Sequence, residues 1–324
     1  MTPEELEIEN HRVNILDKGV SICISAYKAV ETIKDTLDSV ISQTWFKNHN
    51  NWEILLGIDG CEETLEYIKA IMNNYKNLKV FMMNSNKGTY VTSNTLMSIA
   101  QYDYLIRFDA DDLMLYNYVE EMMIAEEGDI YRFYYRHFDP TKHKADVKIL
   151  AIGQHGMTKA FFKKFGGYRP WICAADKELL ERTKNLCTEV FLSNTHLIRK
   201  TIPTSLTNAK ETKYPSSEIR KQYHEFMDNE VINCEEDAMI ETIVNEYTEV
   251  TSDIFEFDKD EYMQNVKPIE EYFYKGPRIK KISVLRSSTF PVSTQRKIIR
   301  ANKVRNGVKT PVIKRVNANK VNFI

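Results

Sequence analysis

The first half of the chain shows two alternating spacings of apolar residues. Short runs of branched and aromatic side chains predict buried strands, and apolar residues three or four apart predict helices between them. The predicted strands are 20–25, 52–58, 78–83 and 104–108, and the predicted helices cover 30–45, 65–72 and 91–100. Strand and helix alternate four times, which predicts an α/β fold with a mostly parallel sheet and helices on both faces.

Carboxylates lie at the ends of two of these strands. Asp59 follows the second strand and Asp109 follows the apolar part of the fourth. Ligands in sheets of this kind bind at the carboxyl ends of the strands. We therefore expect Asp59 and Asp109 to face one crevice.

Three carboxylates are concentrated at the end of the fourth strand, at Asp109, Asp111 and Asp112. Asp109 and Asp111 are two residues apart, so in extended backbone their side chains point to the same side. Such carboxylates repel each other unless a cation lies between them or one stays protonated. Oxygen ligands without a Cys or His cluster suit Mg²⁺ or Mn²⁺. The alternative is a solvated acidic turn in which Asp112 caps a helix.

The order of these motifs resembles that of the GT-A glycosyltransferases of family 2. The matching stretches are, in chain order, 21–25 with 39–44, Glu53-Ile54 with 58–61, Asn86-Lys87-Gly88 with Asn94, Asp109-Ala110-Asp111, Gly166-Gly167-Tyr168, and 176–182. The resemblance covers about residues 18–210, and together the motifs are more specific than any one of them. It implies a Rossmann-like GT-A domain that transfers a sugar from a nucleotide diphosphate.

The resemblance also implies roles for single residues on the donor side. Asp59 would contact the nucleotide base, Asp109 the ribose, and Asp111 the metal on the diphosphate. The turn and helix that follow the third strand would complete the donor site through Asn86, Lys87 and Asn94. The implied cofactor is Mn²⁺ or Mg²⁺, with a UDP sugar as the donor substrate.

Asp176 matches the position of the family's catalytic base. The family is typically inverting, with one displacement at the anomeric carbon, and a hydroxyl acceptor then needs a carboxylate to take its proton. Ala175 stands where the family commonly has Glu, so Asp176 lacks its usual acidic neighbour. The alternative role of Asp176 is to cap a helix over 177–183.

Four further residues are weaker candidates. His155 either lines the site or lies on the surface, and Trp171 either stacks on an acceptor ring or packs in the core. His196 lies near a position where some family members contact metal or phosphate. Arg199 is a candidate phosphate contact, although the matching motif is incomplete because Thr201 replaces its His.

The formal net charge of −2 conceals a strong asymmetry. Residues 275–324 contain fourteen Lys or Arg and no Asp or Glu, whereas 225–261 is strongly acidic. The acidic stretch also contains apolar residues at helical spacing, which are Met227, Val231, Met239 and Ile243. These shifts predict three domains, namely a GT-A domain over 1–212, an acidic helical region over 213–274 and a basic tail over 275–324.

The basic tail leaves three interpretations open. It binds a nucleic-acid backbone, pairs with the acidic region, or meets an anionic membrane surface. The residues assigned to nucleic-acid contact are Lys280, Lys281, Arg296, Lys297, Arg300, Lys303, Arg305, Lys314 and Arg315. The tail favours a hydroxyl on a modified DNA base, of the 5-hydroxymethylcytosine type, as the acceptor, by analogy with phage DNA glycosyltransferases.

Three alternatives to that function stay open. The first is the same chemistry on a cell-surface glycan or a lipid-linked acceptor, and the second is a non-catalytic nucleic-acid-binding protein on a transferase scaffold. The third is a nucleotidyltransferase, since that chemistry also uses a carboxylate-bound cation. Five scattered cysteines without Cys-x-x-Cys spacing and a polar, acidic segment over 1–17 predict a cytoplasmic protein.

Overall fold

The computed structural model describes residues 18–138, 149–200, 217–231, 238–251, 296–305 and 308–317, the last two ranges as backbone only. The strands are β1 Val20–Ala26, β2 Trp52–Ile58, β3 Leu78–Met83, β4 Tyr104–Asp109, β5 Leu113–Met114, β6 Ile130–Phe138, β7 Ile149–Leu150, β8 Gly156–Thr158, β9 Glu189–Lys200, β10 Tyr247–Val250, β11 Arg296–Arg305 and β12 Val308–Asn317. The α-helices are α1 Ile33–Ile41, α2 Glu62–Ile71, α3 Thr89–Ile99, α4 Tyr118–Ile124, α5 Lys159–Phe165, α6 Ala175–Thr183 and α7 Glu218–Phe226.

The first four strands form the parallel part of one sheet, in the order β3-β2-β1-β4. β1 lies between β2 and β4 and pairs in parallel with both. Each connection between these strands contains a helix, as a parallel crossover requires. The predicted α/β alternation is therefore confirmed in this half of the sheet.

The sheet as a whole is mixed, so the prediction of a mostly parallel sheet is corrected. β4 continues through the antiparallel strand β8 into β6, and β6 pairs with β9 in parallel. The short strand β5 pairs antiparallel with β9. Antiparallel neighbours need no helical crossover, so the strand–helix periodicity that predicts β1 to β4 gives no signal for this half.

Alternate residues of the central strand bury their side chains in two separate layers. Ile22 and Ile24 pack in the larger cluster with apolar residues of α1 and α2. Cys23 points to the other face and packs in a second cluster with residues of α3 and α5. Because both faces are covered, β1 consists of buried residues throughout.

The region after residue 216 differs from the predicted acidic helix. α7 and a π-helical turn at Met227–Val231 are helical, but 238–246 has no regular structure, so the helix predicted through Met239 and Ile243 is wrong there. Backbone groups of this stretch bond to the first domain instead, as Ile240 N donates to Phe165 O. β10 then pairs antiparallel with β3 at the edge of the same sheet.

The predicted boundary at 212/213 and the tail residues Lys280 and Lys281 lie outside the described residues. Of the tail, the structure gives the backbone of an antiparallel hairpin, β11 and β12, that pairs with β9 at two positions. The side chains assigned to nucleic-acid contact are therefore not described. No helix in the described parts of the chain is long and apolar enough to cross a lipid bilayer.

Candidate active site

The carboxyl ends of β1, β2 and β4 form one edge of the sheet, where the predicted carboxylates meet. Asp109 is the last residue of β4 and pairs in register with Ser25 of β1. Asp59 directly follows β2, whose last residue Ile58 pairs with Ala26. Both aspartates therefore lie at one edge of the sheet, and the prediction that they face one crevice stays a prediction.

Asp59 shapes the turn that follows β3. Its carboxylate accepts the backbone N–H groups of Lys87 at 3.0 Å and Gly88 at 2.9 Å. Gly88 has a φ of 91°, a conformation that side-chain-bearing residues rarely adopt. The buried Asp59 thereby fixes the turn while the side chains of Asn86 and Lys87 stay exposed. The implied contact of Asp59 with a nucleotide base stays a prediction.

The three carboxylates after β4 form a compact cluster. One oxygen from each of Asp109, Asp111 and Asp112 lies within 4.8 Å of the others. Asp112 is buried and accepts hydrogen bonds from Lys200 N at 3.0 Å and from the Gln154 amide. No helix starts at Asp112, because β5 follows it, so the helix-cap alternative is wrong.

The electrostatics of this cluster fit a bound cation. Burial, followed by the charge of Asp109, raises the pKa of Asp111 to about 6. Burial and the neighbouring charges of Asp111 and Asp109 raise the pKa of Asp112 well above its usual value. The positive charge of Arg199 in β9 opposes both shifts and lowers the pKa of Asp111 and of Asp112. A divalent cation would relieve the same repulsion, and oxygen ligands suit Mg²⁺ or Mn²⁺.

Arg107 connects the cluster to the other side of the crevice. Its buried guanidinium forms an ion pair with Asp109 at 2.7 Å and donates to Thr89 Oγ1 and Gly153 O. It also lies 5.2 Å from the centre of the Tyr90 ring. A charge buried this deeply needs such partners, because desolvation without them is costly.

Asp176 lies on the far side of Arg107, at the start of α6. Its Oδ1 accepts hydrogen bonds from Tyr90 Oη and Lys177 N, both at 2.9 Å. The N-cap residue of α6 is Ala174, in a left-handed conformation with a φ of 66°, so Asp176 is already inside the helix. Capping is therefore not its role. Asp176 as a residue is partly exposed, and its role as the catalytic base stays a prediction.

Asn94 is not in the crevice, which corrects its assignment to the donor site. Its side chain is fully buried in α3. Its Oδ1 accepts from Tyr168 N at 2.8 Å, and its Nδ2 donates to Tyr168 O and to Ile243 O. Both ends of the Asn94 amide are thus used in bonds to backbone groups. Through the bond to Ile243 O, Asn94 links segment 238–246 to the sheet domain.

The two candidate histidines are structural. His155 is buried, and its Nδ1 and Nε2 lie 3.1 Å from Ile152 O and the Tyr168 hydroxyl. Burial lowers the pKa of His155 to about 3. His196 is also buried and bonds through Nε2 to Glu121 at 2.7 Å, away from the aspartate cluster.

Two further candidates, Trp171 and Arg199, have defined neighbours in the structure. The Trp171 ring stacks on Tyr223 of α7 with ring centres 4.2 Å apart and planes 2° apart. It therefore contacts the region after residue 216, which the sequence could not reveal. Arg199 lies near the aspartate cluster, whose negative charges act on its guanidinium, and its contact with a phosphate stays a prediction.

Sequence reasoning missed the residues that surround Asp176. Tyr90 has no local signal, because a tyrosine in an apolar helix reads as a core residue. Gly153 lies in a short glycine-containing stretch, yet an added Cβ there would be 2.7 Å from Asp176 Oδ2. Arg107 is a charged residue within an apolar strand, and that mismatch is the one available hint.

Comparison with known proteins links part of this chain to one glycosyltransferase family. Residues 21–181 match the model of "Glycosyl transferase family 2". The putative glycosyltransferase EpsE of Bacillus subtilis is 30% identical over 96 residues, which are 29% of this chain and 33% of EpsE. An uncharacterized glycosyltransferase of Haemophilus influenzae is 29% identical over 105 residues, which are 32% of this chain and 31% of that protein.

The matched stretches thus span about a third of these relatives. Among solved structures, S. aureus TarS 1–349 in complex with UDP-GlcNAc superimposes with a TM-score of 0.56 at 14% identity, covering 68% of each chain. That likeness shows a common fold. Residues 21–181 therefore resemble family 2 glycosyltransferases, and the chain shares its fold with TarS.

Proposed function

We propose that this protein is a metal-dependent, inverting glycosyltransferase that moves a sugar from a nucleotide diphosphate to a hydroxyl acceptor. The observation that carries the proposal is the pairing of two carboxylate sites across Arg107. The cluster of Asp109 and Asp111 lies on one side, and Asp176 lies on the other. The cluster of Asp109 and Asp111 suits a diphosphate with its cation, and Asp176 suits the role of accepting a proton.

The reaction follows from this arrangement. The acceptor hydroxyl attacks the anomeric carbon, the new glycosidic bond forms, and the bond to the diphosphate breaks. Asp176 takes the proton that the hydroxyl loses, as a positioned carboxylate does in general-base catalysis. A single displacement of this kind needs no covalent nucleophile, and it inverts the anomeric centre.

Charge on the leaving diphosphate must be stabilised at the opposite side. A divalent cation held by Asp109 and Asp111 would neutralise that charge. Arg199 lies near both carboxylates and would add a second positive charge from β9. Arg107 is buried beneath Asp109 and fixes the orientation of that carboxylate.

A UDP sugar is the proposed donor, since TarS, which has a similar fold, was solved with UDP-GlcNAc. The acceptor is proposed only as a hydroxyl compound. The predicted acceptor in DNA rests on the charge of residues 275–324, and no described contact or relative supports it. A glycan or lipid-linked acceptor is the alternative.

The test is a transfer assay with purified protein, a panel of UDP and GDP sugars, and Mn²⁺ or Mg²⁺. The acceptors are DNA with and without 5-hydroxymethylcytosine, oligosaccharides, and lipid-linked sugars, and products are weighed by mass spectrometry. We expect release of nucleoside diphosphate that stops when EDTA removes the metal. A metal-independent reaction would contradict the role of the aspartate cluster, and no turnover of any donor would overturn the proposed function.

A further inference from the structure

The two oxygens of the Asp176 carboxylate have different surroundings. Oδ1 accepts two hydrogen bonds, from the Tyr90 hydroxyl and from Lys177 N. Oδ2 has no hydrogen-bond partner among the described residues and faces the backbone of Gly153. The carboxylate therefore has one fixed oxygen and one free oxygen.

Tyr90 is built to remain a hydrogen-bond donor. Its side chain is 6% exposed, in the same apolar cluster as Tyr168, and the two rings lie 5.4 Å apart. Burial and the charge of Asp176 raise the pKa of Tyr90 well above its usual value. The hydroxyl thus stays neutral and protonated across the ordinary pH range, and it donates to the carboxylate.

Gly153 keeps the free oxygen accessible. A Cβ at this position would lie 2.7 Å from Asp176 Oδ2 and 3.7 Å from Arg107 Nη1. Arg107 also donates to the Gly153 carbonyl, which holds this backbone in place. A side chain at position 153 would therefore crowd Oδ2.

From these contacts, and on the basis of the proposed function, we infer that Tyr90 is a positioning residue for the catalytic base. By holding Oδ1, it presents Asp176 Oδ2 as the oxygen that accepts the proton of the acceptor hydroxyl, and Gly153 keeps that oxygen open. The covalent step is the one given above, in which the proton moves from the acceptor oxygen to Oδ2 as the glycosidic bond forms.

The experiment compares Tyr90→Phe with Tyr168→Phe in the full chain. Both variants remove one buried hydroxyl from the same pair of rings, but only Tyr90 contacts Asp176, whereas Tyr168 contacts His155. We expect Tyr90→Phe to lower kcat about 10- to 100-fold, as loss of a hydrogen bond to a charged group does, with the donor KM unchanged. Tyr168→Phe should keep kcat within about twofold.

A second background separates positioning from a general structural effect. Asp176→Glu keeps a carboxylate but moves it by one methylene, so the bond to Tyr90 is already disturbed. The effect of Tyr90→Phe should then shrink to about threefold or less, because the two residues act as one unit. The same fold-loss in both backgrounds would overturn the inference.

A separate variant tests whether Oδ2 of Asp176 is the oxygen that accepts the proton. Gly153→Ala should lower kcat about as strongly as Tyr90→Phe while the donor KM stays near the wild-type value, because the added Cβ crowds Oδ2. Full activity of Gly153→Ala would overturn the assignment of Oδ2. A wild-type protein that turns over no donor would instead overturn the proposed function itself.

Discussion

The two carboxylate regions of the crevice are built in opposite ways. The cluster of Asp109, Asp111 and Asp112 crowds three like charges together, and burial with mutual repulsion raises the pKa values of Asp111 and Asp112. Asp176 lies apart from that cluster, across Arg107, and receives two hydrogen bonds on a single oxygen. Crowded carboxylates favour a cation, whereas a single carboxylate with one free oxygen favours a proton.

The two regions lie on different elements, one at the end of β4 and the other at the start of α6. Both regions use Arg107, which pairs with Asp109 and lies against the ring of Tyr90. The buried Arg107 guanidinium thus contacts a residue of each region. Substituting one carboxylate at a time tests whether the two regions have separate roles.

Asp111→Asn and Asp176→Asn should both abolish most of the transfer, but for different reasons. We expect about a 10²- to 10⁴-fold loss in kcat for Asp176→Asn, since it removes the general base. Asp111→Asn should cause a loss of at least similar size because charge neutralisation of the leaving group fails. The distinguishing measurement is the thermal midpoint with UDP, with and without Mn²⁺.

Asp176→Asn should keep the stabilisation by Mn²⁺ and UDP, and Asp111→Asn should lose it. Each variant thus serves as the control for the other. If Mn²⁺ raises the thermal midpoint of Asp111→Asn as much as that of the wild type, Asp111 does not bind the metal. A variant at Asp176 that loses the response would show that the two regions are not separate.

The sequence predicted one of these regions better than the other. Asp109 and Asp111 are neighbours in the chain at the end of a strand, so local spacing was enough to bring them together. The surroundings of Asp176 come from α3, from the stretch before β8 and from α6, which are far apart in sequence. Tyr90 and Gly153 could not be predicted, because only the packing of these elements brings them to Asp176.

Asn94 shows the same limit in another way. The motif order assigned it to the donor site, but its amide bonds to the backbone of Tyr168 and Ile243. Asn94 matched the motif by its position in the sequence. Its role, however, depends on its contact with segment 238–246, and the sequence did not predict where that segment packs. The apolar spacing there had predicted a helix, yet backbone bonds to the sheet domain replace it.

Asn94→Ala should therefore weaken the fold rather than donor binding. The change leaves Tyr168 N, Tyr168 O and Ile243 O without their partner, and we expect a loss of about 3 kcal/mol in the free energy of unfolding. Urea unfolding measures this loss, and the donor KM of the folded variant should stay within about twofold of the wild type.

Ser93→Ala is the matched control on the same helix. Ser93 is equally buried, but its hydroxyl bonds only to Thr89 O within α3. Its removal should cost about 1 kcal/mol. A higher donor KM for Asn94→Ala at unchanged stability would return Asn94 to the donor site and reverse the assignment made from the structure.

The smallest expected effect concerns His155 and the dependence of the free energy of unfolding on pH. Its pKa is lowered to about 3 in the folded protein, chiefly by burial, while an unfolded histidine titrates near 6.5. Below pH 6.5 the unfolded chain binds a proton at this position that the folded protein does not. The contribution of neutral His155 is therefore complete above pH 6.5 and is lost as the pH falls toward 3.

For this one group the expected loss at pH 5.5 is about 1.4 kcal/mol relative to pH 7.5. His155→Gln keeps polar atoms near Ile152 O and the Tyr168 hydroxyl but cannot become charged in this range. Urea unfolding at both pH values should show a smaller acid-induced loss for the variant, by about that amount. Equal losses in the two proteins would mean that His155 is protonated in the folded state, and its position beneath the crevice would then bring a charge close to Arg107.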